Sequence, residues 1–218
     1  MQREFWLERW DRQEIGFHQQ EINPYLQEFW GDLHLSPGCE VFVPLCGKSR
    51  DMIWLKDHGH KVLGIELSEL AVETFFRENG HAPARRQQGK FAVSEAGGMR
   101  LFCGDFFDLG AEDLKGVRAV YDRAALIALP PELRERYVRH SFDILPAEAP
   151  ILLITLEYPG MQMPGPPFSV SADEVKRLYG AHADIRLLKR VNALGENPKL
   201  AERGLSQLHE NVFLIRLR

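Results

Sequence analysis

A chain of 218 residues, 44% hydrophobic and 27% charged, is long enough for one sizeable core and short for two, so a single domain over 1–218 is expected. The formal net charge of −4 argues against nucleic acid or an anionic membrane as partner, because both favour a basic face. Met1-Gln2-Arg3-Glu4-Phe5 starts no apolar run followed by a small-residue cleavage site, so no signal peptide is expected, and the longest strongly apolar run, Ile151–Leu156, is far too short to span a bilayer. Cys39, Cys46 and Cys103 are odd in number and widely spaced, which reads as reduced thiols and a cytoplasmic location. His58 and His60 alone make a poor metal site, so no metal is expected.

Residues 1–35 stand apart as an aromatic-rich extension. Trp6 and Trp10 are spaced i, i+4, so one helical face carries both, and Phe17 follows. The segment reads either as a surface helix stapled to the core or as a lid that excludes water. Asn23-Pro24 has the form of an N-cap with proline in the first turn, and Ile22, Tyr25, Leu26 and Phe29 recur at helical spacing. Ser36-Pro37-Gly38 breaks that helix, and Glu40–Leu45 reads as a buried strand running into Cys46-Gly47-Lys48-Ser49.

Met52, Ile53 and Leu55 suggest a helix closed near Gly59, before a second strand at Lys61–Ile65 that ends on Glu66. Ser68 caps a helix striped with Val72, Phe75 and Phe76 and stopped by Gly80. Phe91–Val93, a Gly97-Gly98 turn and Met99–Cys103 form a hairpin feeding a third main strand. Ala119–Tyr121 and Ile151–Leu156 are further strands, with a helix after Pro130-Pro131 between them. Tyr158–Pro167 is a Pro/Gly-rich loop, and Ser171 with Glu174 makes a capping box for a helix ending at Gly180. Ile185–Val191 and Val212–Leu217 close the chain and can supply an antiparallel edge. Strands alternating with helices indicate a mostly parallel α/β sheet.

Ligands in such a sheet bind beyond the carboxyl ends of the strands, which nominates Leu45–Gly47, Glu66, Gly104-Asp105, Asp122-Arg123 and Glu157. Gly47-Lys48-Ser49 echoes a phosphate loop, but a Walker loop needs glycine where Phe42 stands. The dinucleotide fingerprint G-x-G-x-x-G fails too, since Pro44-Leu45-Cys46-Gly47 offers one glycine. Glu66 lies about twenty residues after Gly47, the spacing at which a carboxylate accepts hydrogen bonds from ribose hydroxyls. An intact acidic partner beside a degenerate loop favours a nucleoside without phosphates, such as S-adenosylmethionine, over a nicotinamide dinucleotide. Asp105 and Phe106 stand where adenine would be met, although a helix cap with a core phenylalanine fits the same residues. Arg123 offers a planar fork for the donor's carboxylate or an anionic acceptor, or else an ion pair with Asp122 or a neighbour.

Val43–Ser49, Gly64–Leu70 and Asp122–Leu126, supported by Trp10…Gly16-Phe17-His18-Gln19 and Gly165–Phe168, resemble the thiopurine S-methyltransferase family, bacterial branch, over nearly the whole chain. The resemblance implies a class I, Rossmann-like methyltransferase fold with a seven-stranded, mostly parallel sheet and helices on both faces. It implies that Trp10, Leu45, Glu66 and Arg123 contact S-adenosylmethionine, with Asp105-Phe106 near adenine. Trp6 remains an alternative to Trp10. Phe17, Arg123 and the Gly165–Phe168 loop would serve the acceptor, together with a late basic residue for which Lys199 and Arg203 both qualify.

The expected reaction is in-line methyl transfer to an aromatic or heterocyclic thiolate by a monomer acting on a small molecule. Such thiols lose a proton easily, so no dedicated general base is expected and no catalytic residue is assigned. Three rival readings stand beside it. They are methylation of other acceptors, selenium and tellurium species included, a nicotinamide-dependent oxidoreductase, and a non-catalytic nucleoside sensor.

Overall fold

In the computed structural model the described residues are 3–160 and 162–218. Met1 and Gln2, at the start of the aromatic extension, and Met161, in the Tyr158–Pro167 loop, lie outside them. The strands are β1 (Glu40–Val43), β2 (Lys61–Glu66), β3 (Ala84–Gln88), β4 (Phe91–Ala96), β5 (Met99–Cys103), β6 (Val117–Asp122), β7 (Pro150–Glu157), β8 (Ala183–Asn192) and β9 (His209–Leu217). They form one sheet in the order β3-β4-β5-β2-β1-β6-β7-β9-β8.

From β5 to β7 all neighbours are parallel, and β9 runs antiparallel between β7 and β8. Those seven strands, β5 to β8 in the sheet order, are the expected sheet with its antiparallel closing pair. The β4–β5 hairpin of the sequence reading is present, and β3 adds one strand outside it. Four of the five residues of β3 (Ala-Arg-Arg-Gln-Gln) are exposed. That polar edge gives no apolar alternation to read, and it discourages pairing with another chain.

β1 is shorter than expected. Its ladder stops at Val43, because proline 44 cannot donate and Leu45 turns into the left-handed region at φ 47°. Side chains alternate across the sheet, so Phe42 enters one core layer while Val41 and Val43 enter the other. The first layer is closed by α5 (Ala111–Leu114), α6 (Ala125–Ala128), α7 (Pro131–Ile144) and α8 (Ala172–Tyr179), through Leu114, Leu126, Tyr137, Val138, Val175 and Tyr179. The second lies under α2 (Pro24–Phe29), α3 (Asp51–Asp57) and α4 (Glu69–Glu78), through Leu26, Met52, Leu55, Phe75 and Phe76. A third small cluster, including Tyr158, Met163, Leu205 and Leu208, ties the Tyr158–Pro167 loop to the segment before β9.

Local chemistry sets the helix ends. The Asn23 side chain accepts from the amides of Tyr25 and Leu26, and Ser68 accepts from Ala71. Ser171 accepts from the Glu174 amide, but the reciprocal half of the expected capping box is absent. The Glu174 carboxylate instead takes the buried Arg134 guanidinium at 2.7 and 2.8 Å. A buried cation outweighs an exposed amide in that competition, since an unpaired buried charge costs far more than a helix-end N–H left to water. Among the described residues no helix is long and apolar enough to cross a membrane.

Candidate functional site

The chain runs outward from β1 to β2 and β5, then returns to β6 and β7 on the other side of β1. The strand order therefore reverses at β1, and the crevice beyond its carboxyl end is the place where such sheets bind ligands. Leu45 at φ 47° and Gly47 at φ 53° fold the chain back on itself there. The Cys46 amide between them donates to Ile65 O at 2.9 Å. Gly64 makes room beneath the turn, because a Cβ on it would stand 2.7 Å from the Cys46 sulfur and 2.5 Å from Leu101. A leucine in the left-handed region costs roughly 1–2 kcal/mol relative to the ordinary basin. Strain of this kind persists only where the surroundings over-determine the backbone, as at ligand sites.

Glu66 joins the turn after β1 to the turn after β2. Its Oε2 accepts from the Gly47 amide at 2.9 Å and its Oε1 from the Ser68 amide at 2.8 Å. Burial raises its pKa, and the amides of Ser68, Gly47 and Leu67 work against that rise. The carboxylate thus shapes the crevice as well as facing it, and each of its oxygens retains a second acceptor direction.

The N-terminal helix α1 (Arg3–Asp11) lays Trp10 on this turn, where a Cβ on Gly47 would lie 3.3 Å from the indole. Trp10 is buried, whereas Phe17 is 42% exposed. Phe17 meets Trp6 and Trp10 edge-on, with ring centroids 5.6 and 5.5 Å apart. Of the two tryptophans, Trp10 is the one against Gly47. Lys48, the residue behind the phosphate-loop echo, is committed elsewhere, its Nζ lying 2.8 Å from Glu78 on α4. Burial lowers the pKa of His18, and the nearby charges of Lys48, Arg123 and Arg50 lower it further against the opposing pull of Glu78.

Arg123 follows β6 and pairs with Asp51 rather than Asp122, its Nε 3.0 Å from Asp51 Oδ2. Asp122 is fully engaged by the Tyr137 hydroxyl at 2.6 Å and by the amides of Ala125 and Leu126. Burial pushes the Asp122 pKa up to about 6 despite those donors. Asp105 caps the short turn Phe106–Asp108 by accepting from the Phe107 amide. Phe106 is buried in the core, its ring 4.8 Å from that of Tyr137.

The two late basic residues separate. Lys199 is exposed on α9 (Pro198–Glu202), whereas Arg203 Nη1 reaches Pro166 O at 3.4 Å in the Gly165–Phe168 loop. Sequence reasoning missed Asp51. It is a buried acid whose partners, Asn23, Tyr121 and Arg123, lie 28 to 72 residues away in sequence, so no local spacing announces it.

Comparison with known proteins fits this geometry. The family described as Thiopurine S-methyltransferase (TPMT) matches residues 1–218. A thiopurine S-methyltransferase of Nitrosospira multiformis is 56% identical over 218 residues, all of this chain and 99% of that one. One from Pseudomonas fluorescens is 51% identical over 216 residues, 99% of each chain. Among solved structures, a SAM-dependent methyltransferase from Anabaena variabilis aligns with TM-score 0.67 at 13% identity, covering 99% of this chain and 95% of that one. A Burkholderia thailandensis 1,6-didemethyltoxoflavin-N1-methyltransferase with S-adenosylhomocysteine bound aligns with TM-score 0.63 at 16% identity, covering 99% and 86%.

A parallel sheet closed by one antiparallel strand, with its crevice at the β1 turn, is the class I methyltransferase fold, and this chain is an S-adenosylmethionine-dependent methyltransferase. The chain belongs to the thiopurine S-methyltransferase family.

Proposed function

We propose that the enzyme methylates the sulfur of an aromatic or heterocyclic thiol, with Trp10, Leu45, Glu66, Asp105, Phe106 and Arg123 forming the donor side and Phe17 and Arg123 facing the acceptor. The observation that carries the reading is the half-exposed Phe17 ring, packed on Trp6 and Trp10, of which Trp10 lies against the Gly47 turn. It offers a flat acceptor an aromatic face beside the donor crevice. S-adenosylmethionine supplies an electrophilic methyl group on a sulfonium.

The residues present fit such a donor. The second acceptor directions of Glu66 suit ribose hydroxyls. Arg123 has its Nε committed to Asp51, which leaves its terminal nitrogens for a carboxylate. The Gly104-Asp105 corner stands next to Glu66, since the Gly104 amide donates to Glu66 O at 2.9 Å. Adenine would lie along this corner against the Asp105-Phe106 backbone.

Burial and the charges of Lys48, Arg123 and Arg50 lower the His18 pKa against the pull of Glu78, so the positive charges outnumber the negative around it. That field favours an anionic acceptor, so a thiol arriving as thiolate needs no base from the protein. Trp10 and the N-terminal segment exclude water, and alignment of the two reacting groups supplies most of the rate. Arg203 at Pro166 anchors the Gly165–Phe168 loop as the far wall of the acceptor space. Free Cys39, Cys46 and Cys103 accord with a reducing, cytoplasmic setting.

Transfer of an isotope-labelled methyl group across thiopurines, simple thiols and selenite tests the reading. Turnover concentrated on heteroaromatic thiols is expected; turnover confined to selenite or to non-sulfur acceptors would sink it.

A further inference from the structure

Asp51 opens α3 with its side chain buried beneath the crevice. Its Oδ1 accepts from the Asn23 amide at 2.9 Å, and its Oδ2 accepts from the Tyr121 hydroxyl at 3.0 Å and lies 3.0 Å from Arg123 Nε. Two distant segments therefore meet α3 on one carboxylate: the N-terminal extension through Asn23, and the end of β6 with the residue that follows it.

For holding those segments together, a buried acid is a poor choice. A well-packed neutral residue does as well or better, because desolvating a charge offsets much of what its pairing returns. What the carboxylate adds is a charge-assisted hold on Arg123. The guanidinium is a rigid planar fork, so an ion pair made at its Nε edge leaves both terminal nitrogens available. Among the described residues those two nitrogens carry no ion pair or protein hydrogen bond, although the Arg123 side chain is only 15% exposed. A guanidinium held at one edge with its other edge unspent is arranged for a second anion. Tyr121 and Asn23 in turn fix the carboxylate, so its orientation does not depend on Arg123.

We propose that Asp51 is a positioning residue that holds Arg123 by Nε so that its terminal nitrogens receive the carboxylate of the donor's amino-acid end. This rests on the assignment of Arg123 to that carboxylate. The residue acts through Arg123 and touches no ligand itself.

Calorimetric titration with two ligands tests it. S-adenosylhomocysteine carries the amino-acid end, and 5′-methylthioadenosine keeps the thioether nucleoside without its carboxylate or amino group; Arg123→Met assigns the difference to the carboxylate. Asp51→Asn is expected to weaken the first on the order of tenfold, as for a lost charge-assisted contact, while 5′-methylthioadenosine binds as it does to the unaltered enzyme. Equal losses for both ligands, or no loss for either, would overturn the proposal, because a merely structural residue does not discriminate between them. If Asp51→Asn does not fold, Tyr121→Phe carries the test by the same criterion, with a smaller selective loss expected. Arg123→Met separates the two levels. A selective loss there without one in the Asp51 and Tyr121 variants removes Asp51 alone, whereas no selective loss in Arg123→Met removes the carboxylate assignment and the positioning role with it.

Discussion

Trp10 and Gly47 pack against each other at the crevice, and the approach is this close because position 47 has no side chain. A Cβ there would stand 3.3 Å from the indole, on a backbone already at φ 53°. Gly47→Ala therefore combines left-handed strain of roughly 1–2 kcal/mol with displacement of the tryptophan. Lower thermal stability and weaker S-adenosylmethionine binding are expected together. An unchanged affinity in calorimetry would show that Trp10 does not form part of the donor site.

Glu66→Gln keeps the volume but turns an amide NH2 toward one of two backbone donors, Gly47 or Ser68. One buried N–H then loses its partner, a cost of about 1–3 kcal/mol. Denaturant titration should register that loss, and donor affinity should fall with it. Full affinity in a folded Glu66→Gln enzyme would contradict the ribose assignment.

Asp122 gives the protein a pH dependence of predictable sign. Its folded pKa, about 6, lies above the ordinary carboxylate value of 3.8 because burial penalises the charge. The folded state therefore holds a proton that the unfolded state has released between about pH 4 and pH 6. Stability from this group is fully present below that window and is lost as pH rises through 6, on the order of 3 kcal/mol in all. Glu66, also raised by burial, acts in the same direction. Urea unfolding of Asp122→Asn across pH 4 to 7 should show a flatter profile than the parent. Parallel profiles would mean that Asp122 stays charged throughout.

Phe17 and Arg203 should separate acceptor binding from donor binding. Phe17→Ala removes a half-exposed ring packed edge-on against Trp6 and Trp10, so the fold should lose no more than about 1–2 kcal/mol. The acceptor KM should rise while donor affinity holds. Arg203→Ala should perturb the same parameter, since it releases Pro166, and Lys199→Ala should leave it alone. A Lys199 effect matching that of Arg203 would reverse their assignment.

The elements legible in the sequence were those whose information is local. Apolar runs marked the buried strands, and Asn23-Pro24 and Ser68 marked helix starts that the structure reproduces down to the capping amides. The strand-end logic brought Leu45, Glu66 and Arg123 to one crevice. Three features had no local signature. β3 is a polar edge with no hydrophobic period, formed because β4 offers it a free ladder. The Glu174 side chain abandons its own helix cap for Arg134, forty residues away in sequence. Arg123 takes Asp51 because Asp122, its neighbour in sequence, points to Tyr137 on α7 instead. In the last two cases a tertiary partner outbid the nearest one, and only the assembled core decides between them.

The seat of α1 carries a consequence for how the protein is made. Helix α1 leaves the ribosome before the Gly47 turn, on which Trp10 is seated, has folded. Until β1 and β2 have been translated and paired, its aromatic side chains have only one another and Phe17 as partners. Completion of the crevice is then a late event in folding, and a nascent chain interrupted before β2 would display Trp6, Trp10 and Phe17 to any chaperone within reach.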